Sequence, residues 1–171
     1  MDDDQDVRSS IGFMLGTADV DTRTFADGPA LLEALTDAAP GCILLDVRMP
    51  GMDGFQVMAE LEARGIDWPI IVMTGHGEVA VAVRAMKTGA IDFIEKPFGE
   101  ELVLASLERA FLLLKDRGDA SERKRVAKER VAALTPRERE VLQGLTAGMS
   151  NKLLARRFDL SLRTVEMHRA N

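Results

Sequence analysis

The sequence has a single cysteine, Cys42, which excludes an internal disulfide framework and any cysteine-rich zinc site. Cys42 lies in the apolar run GCILLD, where a buried thiol is expected rather than a reactive one. No apolar run approaches the roughly 20 residues needed to cross a bilayer. The start, MDDDQDVRSS, has neither the basic residues nor the apolar stretch of a secretory signal. These absences predict a soluble, cytoplasmic protein with no membrane partner. There is no internal repeat and no low-complexity tract. The two histidines, His76 and His168, have no sequence partners that suggest nucleophilic catalysis or zinc binding.

What is present suits one domain with a small second one. The chain has 171 residues, 46% of them apolar, enough for a real core. Its net charge of −6 is unevenly spread. Residues 1–114 carry 8 basic and 20 acidic side chains, whereas residues 115–130 and 131–171 each carry 7 basic and 4 acidic. An acidic first part and a basic remainder predict separate modules with different partners, the basic one facing nucleic acid.

In the first part, short apolar runs alternate with amphipathic segments. GCILLD, PIIVMTG and DFIEKP read as strands, and TRTFA as a further short strand. QDVRSSIGFMLG, GPALLEALTDA, GFQVMAELEARG, EVAVAVRAMKTG and ELVLASLERAFLLL read as helices. Their apolar faces carry Leu31, Leu32 and Leu35; Val57, Met58 and Leu61; Val79, Val83 and Met86; and Val103, Leu107, Ala110 and Leu114. Strands alternating with helices predict a doubly wound parallel sheet. Residues 115–130 have almost no apolar content and read as a charged linker, helical in part, with Gly118 as its weak point. A small all-α module follows. Thr135, Pro136 and Glu138 form a helix start with a capping box, and further helices follow Ser150 and Ser161.

In a doubly wound sheet the functional groups gather at the carboxyl ends of the strands. Asp46, Thr74 and Lys96 stand there. A carboxylate can accept a phosphoryl group only if its repulsion with the phosphate oxygens is neutralised, best by a divalent cation with oxygen ligands. One carboxylate is too few, and the acids after Met1 are the remaining supply. Asp2 and Asp3 would hold Mg²⁺ with Asp46, Lys96 would contact the phosphoryl oxygens, and Thr74 would hydrogen-bond one of them. This is positioning plus charge neutralisation, the requirement of phosphoryl transfer. Asp4 and Asp6 read as helix N-terminal charges, and Asp53 with Gly54 as the turn before the next helix.

LLDVRMPGMDG, VMTGHG and DFIEKPF, in this order, resemble the receiver domain of two-component response regulators. TGHGEVAVAVRAMKTGAIDFIEKPF resembles the FixJ subfamily, and LTPREREVLQGLTAGMSNKLLARRFDLSLRTVEMHRAN resembles a LuxR-type helix-turn-helix. The resemblance implies a flavodoxin-like receiver over residues 1–114, a linker over 115–130 and a DNA-binding module over 131–171. It implies Asp46 as phosphoacceptor, Asp3 as the direct Mg²⁺ ligand with Asp2 acting through water, and the Arg48 backbone carbonyl as a further ligand. It implies Thr74 and Phe93 as the switch pair and a cis bond before Pro97. The changing surface would span Val79 to Leu114.

The implied partners are a sensor histidine kinase, promoter DNA and a second copy of the chain in a phosphorylation-dependent homodimer. Lys152, Arg163 and Arg169 would contact phosphates; Thr164, Glu166, Met167 and Ala170 would face base edges. His76 reads as structural in TGHGE, and His168 as either a packing or a DNA-facing residue. The sequence departs from the family at both ends. The apolar first strand is absent, which predicts an unpaired second strand and no anchor for Asp2 and Asp3. The last helix is absent too, and the chain reads as a displaced start or a fragment. The alternatives are a receiver acting by protein–protein contact without DNA output, and a phosphatase with an aspartyl-phosphate intermediate. Arg48 stands where such phosphatases carry an acid, so the chain is read as a non-enzyme.

Overall fold

Two apolar runs and one mixed run form the sheet, and their side chains alternate between its faces. In the computed structural model, residues 1–75 and 79–170 are described, apart from the side chains of Asp37, His168, Arg169 and Ala170. The strands are β1 (Ile43–Asp46), β2 (Ile70–Thr74) and β3 (Asp92–Glu95). They are parallel, in the order β1-β2-β3, with Asp46 opposite Met73 and Thr74 opposite Glu95. The helices of this part are α1 (Gln5–Thr17), α2 (Gly28–Ala34), α3 (Gly54–Ala63), α4 (Val79–Lys87) and the start of α5 (Glu100–Ala133). Leu44, Ile71, Met73 and Ile94 pack with Ile11 and Leu15 of α1 and with Val103, Leu107 and Ala110 of α5. Ile43, Leu45, Ile70 and Val72 pack on the other face with Leu31 and Leu32 of α2, with Val57, Met58 and Leu61 of α3, and with Ala85 of α4. Each fully buried Leu, Ile or Val contributes about 1.5–3 kcal/mol.

Four expectations are corrected or completed. TRTFA is extended but belongs to no strand. A cavity of about 500 Å³, lined by Thr22–Phe25 on one side and Cys42–Leu44 on the other, separates it from β1. Its recorded backbone tie is the Asp2 N–H to the Phe25 carbonyl, 3.2 Å. Second, Asp2 is anchored after all. The Met1 nitrogen donates to Leu44 O at 2.7 Å and the Asp46 N–H donates to Met1 O at 3.0 Å. That is one rung of a parallel ladder, with Met1 opposite Leu45.

Third, the apolar stripe of α4 faces outward: Val79, Val83 and Met86 are 78%, 45% and 49% exposed. Periodicity defines a face but not what covers it; here the small Ala85, on another side of the helix, meets the core. Fourth, the charged linker is helix. It continues α5 to Ala133 without a break at Gly118. Arg125 pairs with Glu122 and Glu129 at helical spacing, the kind of support that an all-polar helix needs.

The chain divides into two units, Met1–Arg117 and Gly118–Asn171. The second contains α6 (Pro136–Thr146), α7 (Asn151–Phe158) and α8 (Leu162–Ala170). Thr135 and Glu138 form the expected capping box of α6, and Ser150 caps α7. Val141, Leu154 and Val165, one from each helix, are its fully buried large side chains among the described residues. Gly144 permits the close approach of α6 and α7, because a Cβ there would lie 2.1 Å from a methyl of Leu154. No helix among the described residues is long and apolar enough to cross a membrane.

Candidate functional site

The parallel register delivers Asp46, Thr74 and Lys96 to one end of the sheet. Asp46 ends β1 and Thr74 ends β2. Lys96 follows β3, and its N–H donates to Thr74 O at 2.8 Å. The Met1 rung sets Asp2 beside Asp46 at the same end. Asp2 and Asp46 are 1% and 5% exposed, and Thr74 is fully buried. The Lys96 ammonium donates to Asp2 Oδ2 at 2.5 Å and lies 3.4 Å from Asp46 Oδ1. Burial raises the Asp46 carboxyl above the usual carboxylate range; Asp2 adds to the rise, while Lys96 and an N–H from Arg48 oppose it.

Asp3 is exposed. Carboxylate oxygens of Asp2, Asp3 and Asp46 all lie within 4.8 Å of one another. Three hard oxygen donors at this spacing fit a small divalent cation. The neighbouring acids have other work. Asp4 caps α1 by accepting from the N–H groups of Asp6 and Val7. Asp53 forms a capping box with Gln56 at the start of α3. Gly54 lies against the backbone at the end of β1, and a Cβ there would sit 2.5 Å from Asp46 O. The Lys96–Pro97 bond is cis. Phe93 is half-buried against the α2/α3 side of the core. Cys42 is half-buried, and burial pushes its thiol up to about 12, which disfavours the thiolate. His76 lies outside the described residues, as does the side chain of His168.

Three arrangements were not singled out from sequence. Arg8 donates to the backbone carbonyls of Asp2 and Asp3. The Arg84 guanidinium stacks 3.8 Å from the Phe55 ring centroid, fastening α4 to the start of α3. Buried Ser106 donates to Asp92 at 2.5 Å, and Arg109 pairs with the same carboxylate. No side-chain pattern marks the first, because the Arg8 guanidinium meets backbone carbonyls. The other two are contacts between elements that no local pattern marks.

The response regulator receiver domain matches residues 1–108, and the luxR family of bacterial regulatory proteins matches residues 132–171. The transcriptional regulatory protein FixJ of Bradyrhizobium diazoefficiens is 45% identical over all of this chain and 83% of its own length. The C4-dicarboxylate transport transcriptional regulatory protein DctR of Rhodobacter capsulatus is 40% identical over 99% of this chain and 87% of its own. Among solved structures, the response regulator StyR matches with a TM-score of 0.82 at 37% identity, covering 100% of this chain and 86% of that one. Full-length FixJ from B. japonicum matches with a TM-score of 0.65 at 45% identity, covering 99% and 84%.

The chain belongs to the response regulators of the FixJ type. It combines a receiver domain with a LuxR-type DNA-binding domain and is a phosphorelay regulator of transcription. A receiver implies a sensor kinase as partner, and the LuxR-type domain implies DNA.

In that LuxR-type domain, Ser161 caps α8: its hydroxyl accepts from Thr164 N at 3.0 Å and meets the Thr164 hydroxyl at 2.7 Å. Val165 turns into the module and is fully buried. Arg163, Glu166 and Met167 of α8 are exposed, as is Lys152 of α7, while Thr164 is half-buried. The side chains of Arg169 and Ala170 lie outside the described residues.

Proposed function

We propose that Asp46 is the phosphoacceptor of this response regulator. The observation that carries the reading is a buried carboxylate at a strand end, 3.4 Å from the Lys96 ammonium and clustered with Asp2 and Asp3. One Asp46 oxygen attacks the phosphorus of a phosphohistidine on a sensor histidine kinase. The P–O bond forms as the P–N bond breaks, and the imidazole leaves. Asp3 and Asp46, the Arg48 carbonyl, and Asp2 through water would hold Mg²⁺, which offsets the charge of the phosphoryl oxygens when bound. Lys96 leaves its ion pair with Asp2 to contact a phosphoryl oxygen, and Thr74 donates its hydroxyl to another. Movement of Thr74 repacks Phe93, the switch pair. The apolar stripe Val79, Val83 and Met86 supports a phosphorylation-dependent homodimer through that region, because an exposed apolar face gains from being covered.

The protein acts in the cytoplasm and is not an enzyme in the turnover sense, since the phosphoryl group stays on its own side chain. Lys152, Arg163 and Arg169 would contact phosphates, and Thr164, Glu166, Met167 and Ala170 would read base edges, Thr164 only as far as its cap with Ser161 allows. The test is acid-labile labelling by a small phosphodonor with Mg²⁺, read by mass spectrometry. The label is expected on Asp46, and equal labelling of Asp46→Ala overturns the assignment.

A further inference from the structure

We infer that Arg8 is the positioning residue of the acidic pair, and that it acts by fixing the direction of Asp3. The inference rests on the proposed metal-holding role of Asp2, Asp3 and Asp46. Asp2 is already held on several sides. Its N–H donates to Phe25 O, its Oδ1 accepts from Asp4 N at 3.1 Å, and its Oδ2 takes the Lys96 ammonium. Asp3 is exposed, and packing does not hold it.

The Arg8 Nη1 donates to Asp2 O at 2.8 Å and to Asp3 O at 2.9 Å. These two carbonyls belong to the planar peptide units on either side of the Asp3 Cα. Fixing both planes fixes both backbone dihedrals of Asp3, and therefore the direction of its Cα–Cβ bond. Arg8 itself is half-buried on α1, and its own N–H donates to Asp4 O at 3.1 Å in the first helical turn. The helix thus holds the arginine, and the arginine holds the loop that carries the carboxylates. Its charge alone works the other way, since a cation beside the site repels a divalent ion. The sign of the effect on metal affinity therefore separates orientation from charge.

The experiment is calorimetric titration of the whole chain with Mg²⁺, alongside thermal melts. Arg8→Ala is expected to weaken Mg²⁺ about 10–100-fold, the usual cost of losing a partner that orients a ligand. Arg8→Lys is expected to recover most of this, because a single nitrogen makes both contacts. Leu61→Ala, a core change in α3 on the opposite face of the sheet from α1, is expected to lower the melting temperature and leave Mg²⁺ affinity within about 2-fold below the melt, as expected for an independent site. Unchanged or tighter Mg²⁺ binding by Arg8→Ala, or no recovery with lysine, overturns the assignment to Arg8. So does equal weakening by Leu61→Ala. If the wild-type chain binds no Mg²⁺, or Asp3→Asn binds as well as wild type, the metal reading itself falls, and Arg8 with it.

Discussion

In Met1–Arg117 the buried residues include Asp2, Asp46, Thr74 and Ser106, whereas in Gly118–Asn171 the described buried residues are Val141, Gly144, Leu154 and Val165. The receiver can draw carboxylates inward because it has a sheet to hold them. Strand ends fix where those groups stand, two apolar faces surround the sheet, and Lys96 answers the charge. Among its described residues the LuxR-type unit has no sheet and one large, fully buried apolar side chain from each of α6, α7 and α8. A charge brought in there would have nothing to answer it. Its charged groups lie outside, where they suit long-range attraction to a polyanion. A change of charge is therefore a conformational event in the first unit and a surface event in the second.

The largest expected effect breaks the comparison at its weaker side. Leu154→Ala should cost about 2–5 kcal/mol, which a centre of three residues cannot absorb. Amide hydrogen exchange should show protection lost over α6–α8 and kept in β1–β3. Loss of protection in both units together would mean that they do not fold as separate cores. A middle-sized effect sharpens the receiver side. Gly54→Ala places a Cβ against the Asp46 backbone and should cost about 1–3 kcal/mol by overpacking. The melting temperature should fall, and so should labelling of Asp46. A normal melt with normal labelling would show that the loop yields freely.

The smallest effect concerns Asp92. Burial alone would raise its carboxyl, but Ser106, the Phe93 N–H and Arg109 together hold it below its ordinary value. A depressed folded value stabilises above the unfolded value near pH 4 and is lost as pH falls through the folded one. Arg109 is well exposed, so its share is under about 1 kcal/mol. Wild type should lose slightly more stability than Arg109→Ala between pH 5 and pH 2.5. Identical pH slopes in chemical denaturation would remove Arg109 from this account.

These outcomes also mark what a linear reading reaches. CILL and IIVM were legible as strands because continuous apolar runs are buried on both faces; Asp46 and Thr74 followed from where those runs stop, and Lys96 from the end of the mixed run DFIE. The capping box at Thr135 was legible because capping is decided within four residues, whereas Asp4 and Asp53, legible as a helix-end charge and a turn residue, are caps as well. TRTFA was misread because its alternation is local while its pairing is not. The α4 stripe shows the same gap, since Val79, Val83 and Met86 share a face whatever lies opposite. The linker was legible as helical only in part, because a helix held by Arg125 and its glutamates carries no apolar signal. Arg8 was passed over because its partners are backbone carbonyls, which every residue has.

The single rung between Met1 and Leu45 has a further consequence, one of parity. Side chains of a strand alternate in direction, so residues opposite each other on neighbouring strands share a face. With Met1 opposite Leu45, Asp2 falls opposite Asp46, and the two carboxylates converge. Inserting or deleting one residue ahead of Asp2 costs this segment nothing in composition, yet a slip of one position in pairing turns the Asp2 side chain to the far face. Three consecutive aspartates then look interchangeable in a text and are not in space. The site counts residues in twos, and its arithmetic is kept by two hydrogen bonds.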